Sequence, residues 1–303
     1  MNQKLSEHDS CFNVTRRTLL RAGAAGFAVF SGLGLFPAVA TAATAPLDDV
    51  PTIVAGMTRR QKIEQKLMPD FRQWYGNQDL TELNDEVAGI IDKYDLGGVI
   101  LFANNVKQTE QTLRLCMAMQ DAATRNTAGT PYGNIPLLLT IDQEGGIVYR
   151  LGSGTALPGN MSLGATRSEE DARACGEVIG RELNALKLND NFAPSFDVNS
   201  NPNNPVIGLR SIGSNPDLVA ELGIPMMQGM QEHNVATAAK HFPGHGDAGS
   251  DSHTGLPRIE KTKDELEACE FVPFKAAIAN GVDMVMTAHI QFPQGRDGDR
   301  GFY

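Results

Sequence analysis

Short apolar runs recur along the chain, and most end in polar, titratable residues before a helical stretch begins. Gly97-Gly98-Val99-Ile100-Leu101-Phe102, Ile135 to Ile141, Asn191 to Val198, Val235 to Ala239 and Asp283 to His289 read as strands, and Lys66-Leu67-Met68-Pro69 is a weaker sixth. Thr58-Arg59-Arg60-Gln61 is a capping box, one helix ends near Tyr94, Thr109 to Ala123 is amphipathic, and Ser168 opens a helix reaching about Lys187. Pro216 to about His233 reads as a helix that Pro225 is placed to break, and Thr262-Lys263-Asp264-Glu265 opens one ending at Asn280-Gly281. Strands alternating with helices need crossover connections, hence a parallel sheet. Near-continuous apolar strands imply burial on both faces. Asp142, Asp197, Lys240-His241 and His289 collect at C-terminal strand ends, where barrels and open sheets keep their chemistry. A closed parallel barrel needs eight such strands.

The N-terminus is set aside before fold reasoning. Thr15-Arg16-Arg17-Thr18-Leu19-Leu20-Arg21 is a twin-arginine pattern, an uncharged run follows from Ala22 to Pro37, and small-residue cleavage sites follow at Ala38-Val39-Ala40, Ala40-Thr41-Ala42 and Ala43-Thr44-Ala45. Residues 1–42 are expected to be an export signal, giving a periplasmic or extracellular protein with no stable membrane insertion after cleavage. The competing reading is a retained anchor, but a Gly/Ala-rich run is only weakly apolar. Cys11 precedes that run and is not placed as a lipoprotein cysteine.

Without residues 1–42 the chain carries 22 basic and 34 acidic residues, a net charge of −12, so nucleic acid is not an expected partner. Cys116, Cys175 and Cys269 are widely spaced and odd in number, which favours buried free thiols over a disulfide framework. About 260 residues suffice for one large barrel-sized core.

Lys240 to His253 packs three histidines, a lysine and two aspartates among glycines. Such groups are costly to bury and add nothing to a core. A metal site is one reading, but Pro243, Gly244 and Gly246 prevent the helix that would align His241 with His245, and no metal is expected. Histidines satisfied within a loop are a second reading. Acid–base chemistry by Asp251 and His253 is the third, since a neighbouring carboxylate raises an imidazole's basicity and fixes its tautomer. Asp142-Gln143-Glu144-Gly145-Gly146 puts two carboxylates at a strand end; Asp142 suits sugar hydroxyls, against a plain Asx turn and a surface Glu. Arg150 is close enough in sequence to turn back to that pocket, or else makes a surface ion pair. The turn-rich Asn199 to Pro205 stretch leads to Arg210, which fits a placed ligand contact better than a solvated loop.

These residues resemble a known family. Gly97 to Phe102, Ile141 to Gly146, Pro158-Gly159-Asn160-Met161, Asn191-Phe192-Ala193-Pro194, Lys240 to Gly246, Asp251-Ser252-His253 and Ala288-His289-Ile290 are similar to the bacterial β-N-acetylglucosaminidases of glycoside hydrolase family 3. The resemblance covers nearly all of residues 43–303, and the Asp-Ser-His triplet separates this branch from the family's β-glucosidases. It implies an α/β fold of the TIM-type (β/α)8 barrel family, here truncated after about six strands. It implies a retaining hydrolase of terminal β-linked N-acetylglucosamine, acting on peptidoglycan fragments or chitooligosaccharides without a cofactor. His253 would be proton donor and acceptor and Asp251 its orienting partner. Asp142, Arg150, Arg210, Lys240 and His241 match positions that hold the sugar.

One departure follows from the resemblance. The family's nucleophile is an Asp on the strand after Ala288-His289-Ile290, and the sequence as given stops before it. Asp297 and Asp299 lie in a glycine-rich tail that gives them no fixed place. The expectation for these 303 residues is reduced or absent turnover, with a non-catalytic sugar-binding remnant, a family 3 β-glucosidase or a phosphorylase as alternatives.

Overall fold

The computed structural model of the protein describes residues 50–127, 135–250 and 255–293. The expected export signal, Asp251, His253, Asp297 and Asp299 lie outside the described residues. Among the described residues no helix is long and apolar enough to cross a membrane.

Two short helices begin the described chain, α1 (Val50–Gly56) and α2 (Arg59–Glu64). Thr58 caps α2 with the full reciprocal box to Gln61. A small antiparallel hairpin follows, β1 (Gln73–Trp74) with β2 (Gln78–Asp79), which the sequence pattern did not foretell. Then α3 (Asp85–Lys93) leads to β3 (Gly98–Leu101), and α4 (Thr109–Thr127) precedes β4 (Leu138–Ile141). Helices α5 (Asn160–Thr166) and α6 (Glu169–Ala185) precede β5 (Asp190–Asn191). Beyond it come α7 (Pro216–Gln231), β6 (Ala236–Phe242), α8 (Lys263–Ala268), α9 (Phe271–Ala279) and β7 (Met284–Thr287).

β3 and β4 pair in parallel from Gly98↔Leu138 to Leu101↔Ile141. β5, β6 and β7 form a second parallel ladder, with β6 in the centre. The Asn189 N–H donates to Leu139 O at 3.2 Å and the Phe192 N–H to Ile141 O at 2.9 Å, which joins the two ladders. On the other side, the Gly97 and Ile100 amides donate to Leu67 O and Pro69 O. The order of neighbours therefore follows chain order, as in a β/α barrel. Among the described residues the pairing does not close into a ring. Val99, Leu101, Leu139 and Ile141 are buried on one face and Gly98 and Thr140 on the other, so both faces of these strands are covered, as their apolar runs required.

Four sequence expectations change in detail. Lys66–Pro69 is no regular strand; it lies alongside β3 and forms a single bridge at Asp70. The Asn191–Val198 run keeps ladder geometry only at Asp190–Asn191 and at a bridge from Ser195 to Lys240, because Pro194 offers no N–H. Pro225 does not break α7. That helix lies so close to α6 that a Cβ on Gly176 would sit 2.1 Å from Met226 O, and this packing outweighs the lost hydrogen bond. The helix expected from Thr262 to Asn280 is two helices, broken at Cys269 and Glu270. A small apolar cluster of Ala248, Ile259, Leu266, Ile290 and Phe292 backs the segment after β6, apart from the main core.

Candidate active site

Lys240, at the C-terminal half of β6, is 1 % exposed and meets two carboxylates from the β4 end. Its Nζ lies 2.8 Å from Asp142 Oδ1 and 2.7 Å from Glu144 Oε1. Arg210 grips Glu144 as a fork, Nη2 to Oε1 at 2.7 Å and Nε to Oε2 at 3.0 Å. The result is an alternating chain, Asp142–Lys240–Glu144–Arg210. Burial alone would push the Glu144 carboxyl up, but Lys240 and Arg210 outweigh it and hold it at about 2. Glu144 is thus no surface residue, which corrects its plain reading from sequence.

Local structure explains the placement. Asn191 on β5 accepts the Gln143 N–H at 3.0 Å and donates to Gln143 O at 2.9 Å, fixing the residue between the two carboxylates. Gly145 and Gly146 turn the chain at φ +86 and +58, values a side chain rarely adopts. Gly146 also packs on Gly159 so closely that a Cβ would lie 2.6 Å from the Gly159 Cα. The Gln143 side chain then accepts the Arg150 N–H at 2.8 Å. The Arg150 Nε is buried without a hydrogen-bond partner among the described residues.

A second cluster centres on Asp197, which the sequence reading noted at a strand end but did not rank as a site residue. Asp197 is fully buried. It accepts from Ser195 Oγ at 3.0 Å, from the His245 N–H at 2.6 Å and from the His241 N–H at 3.2 Å. His241 Nδ1 lies 2.7 Å from Asp197 Oδ2. Burial would push this carboxyl up too; the His241 ring and the amides outweigh it and hold it at about 2. Asp197 thereby anchors the His241 ring through Nδ1, and its Nε2 lies 3.5 Å from Arg210 Nη2. The two clusters thereby touch. Burial also pushes the His245 imidazole, edge-on to His241 at 5.8 Å, below its usual value.

The loop carrying Arg210 is as stiff as its composition suggested. Asn204 accepts the Val206 and Ile207 amides and donates to His245 O at 2.8 Å. The Asn201 N–H donates to Gly246 O, and a short 3₁₀ turn at Gly208–Arg210 aims the guanidinium. Four of the expected sugar contacts, Asp142, Arg210, Lys240 and His241, therefore meet directly. Arg150 is tied to them through its backbone. Asp142, Arg210 and His241 keep a little exposure, while Lys240, Glu144 and Asp197 are buried beneath them.

A parallel β/α sheet with its charged cluster at the C-terminal strand ends is the arrangement in which α/β-barrel enzymes carry their sites. The Glycosyl hydrolase family 3 N terminal domain matches residues 58–300, and the chain belongs to that family, whose N-terminal domain has an α/β barrel-like fold. Beta-hexosaminidase A of Pseudoalteromonas piscicida is 43% identical over 269 residues, covering 84% of this chain and 42% of that protein. The beta-hexosaminidase of Tolumonas auensis is 34% identical over 225 residues, covering 73% of this chain and 64% of that protein. The chain thus spans less than two thirds of the length of these relatives. Among solved structures, a family 3 β-N-acetylglucosaminidase from Paenibacillus sp. str. FPU-7 matches with a TM-score of 0.72 and 44% identity, covering 78% of this chain and 43% of that one. NagZ from Neisseria gonorrhoeae, in complex with N-trifluoroacetyl-D-glucosamine, matches with a TM-score of 0.66 and 31% identity, covering 75% of this chain and 64% of that one.

Proposed function

We propose that the site holds a terminal β-linked N-acetylhexosamine, and that this lineage hydrolyses it from peptidoglycan fragments or chitooligosaccharides. The observation carrying the reading is the Asp142–Lys240–Glu144–Arg210 chain. Charged donors and acceptors alternate over a buried floor, while Asp142 keeps an accessible edge. Such groups give sugar hydroxyls charge-assisted hydrogen bonds in a site that needs no reorganisation. The names of the relatives favour an amino sugar over glucose.

In this reading His253, steered by Asp251, protonates the leaving oxygen and later takes a proton from water, while a carboxylate forms and releases the glycosyl-enzyme. Export by the twin-arginine signature would put the protein in the periplasm or outside the cell, where such glycans lie.

A second reading, binding without turnover, is favoured by one observation. Glu144 and Asp197 are buried and committed to cations or amides, so neither is free to attack a sugar carbon. Titration with N-acetylglucosamine and with glucose, beside assays on aryl N-acetylglucosaminide and aryl glucoside with and without phosphate, tests both readings. Preference for the acetamido sugar supports the site. Equal binding of glucose, or none of either, contradicts it, and turnover by the 303-residue chain contradicts the second reading.

A further inference from the structure

We infer that Glu270 and Lys261 are positioning residues for this site, a tie that fixes the loop after β5 against the turn after β6; the inference rests on the sugar-binding reading. Glu270 lies in the break between α8 and α9, yet it is 1 % exposed. Its Oε1 accepts from Lys261 Nζ at 2.5 Å and from Ser200 Oγ at 3.2 Å. Lys261 Nζ also lies 3.3 Å from Ser200 Oγ and 3.7 Å from Asp247 Oδ2. The aliphatic part of Glu270 fills the space beside Gly244, where φ is +132 and a Cβ would come 2.5 Å from Glu270 Cγ.

One side chain therefore contacts three separate segments. Ser200 belongs to the loop that carries Arg210, Gly244 to the turn that carries His245, and Lys261 to the segment leading into α8. From Gly244 the route to the site is short. His245 follows it and donates its N–H to Asp197, which in turn holds His241 Nδ1. A carboxylate is a costly way to fill space, because an apolar side chain would do so without desolvation. A buried ion pair with a hydroxyl partner instead selects one geometry among several that packing alone permits. The helix break has the same logic, since the Cys269 backbone leaves helical geometry just where Glu270 turns inward.

Glu270→Gln and Lys261→Met, with Lys261→Arg as the conservative control, test the inference. Two readouts separate positioning from bulk stability: affinity for N-acetylglucosamine by calorimetry, and the proton NMR resonance of His241 Nδ1–H in its bond to Asp197. Glu270→Gln and Lys261→Met should each weaken binding about tenfold and move that resonance, as is typical when a residue orienting a ligand group is lost. Lys261→Arg should restore both. An unmoved resonance and unchanged affinity in folded Glu270→Gln, with only a lower melting temperature, would overturn the inference. If Glu270→Gln does not fold, Lys261→Met decides: readouts identical to those of Lys261→Arg overturn it. If the unaltered protein does not bind the sugar, the functional reading falls, while the His241 resonance still decides whether Glu270 positions the Asp197–His241 pair.

Discussion

Lys240 Nζ lies 2.7 Å from Glu144 Oε1, and both side chains are 1 % exposed. Arg210 forks onto both oxygens of the same carboxylate. Glu144 is therefore the single anion between two cations, and Asp142 alone cannot replace it. Glu144→Gln should cost about 3–5 kcal/mol, the range for breaking a buried pair from one side. Adding Lys240→Met should recover part of that loss, because the uncompensated ammonium goes with it. Urea unfolding of the single and double variants checks this; additive losses would contradict the coupling.

Acid should unfold the protein through Glu144 and Asp197. Both carboxyls are held at about 2, below the value of about 4 for an unfolded chain. A depressed carboxyl adds stability that is present above the unfolded value and is lost as pH falls through the folded one. The melting temperature should fall steadily from pH 5 to pH 2. A melting temperature constant over that window would show that both carboxyls titrate in the folded state as they do in the unfolded chain, and contradict the depressed values.

Asp190 acts in the opposite direction. It is fully buried, and its oxygens make no well-formed hydrogen bond among the described residues. Burial pushes its carboxyl up to about 8, with the nearby Thr140 hydroxyl offsetting part of the rise. A raised carboxyl favours the folded state at low pH, and that advantage is lost as pH rises from about 4 to 8. Asp190→Asn should therefore leave stability at pH 4 nearly unchanged and raise it at pH 8.5 by about 1–3 kcal/mol. Denaturant titrations at the two pH values check it; an equal shift at both would point to packing rather than charge.

Arg150 differs from its neighbours in the candidate site. Among the described residues its guanidinium makes no ion pair, and its Nε is buried without a partner. Arg150→Ala should change the melting temperature little and still weaken N-acetylglucosamine binding by about 1.5–3 kcal/mol, the range for a hydrogen bond to a charged group. Unchanged affinity on calorimetry would remove Arg150 from the site.

The strands and the ends that carry chemistry were legible because their signals are local: an apolar run, then Asp142 or Lys240-His241. The Thr58 and Thr262 caps were legible for the same reason. Asp197 was not, because its role depends on amides at His241 and His245, which only the meeting of β5 and β6 brings to it. Glu144 kept a surface reading beside a functional one because nothing near it in sequence announces Lys240 or Arg210. Pro225 misled in the other direction: proline is a strong local signal, and close packing of α6 on α7 overrides it.

The most direct test of the account is a crystal structure of the protein with N-acetylglucosamine. The account predicts sugar hydroxyls within hydrogen-bond distance of Asp142 and Lys240, with Glu144 still bridging Lys240 and Arg210. Sugar bound away from these residues, at a concentration that saturates the protein, would contradict it.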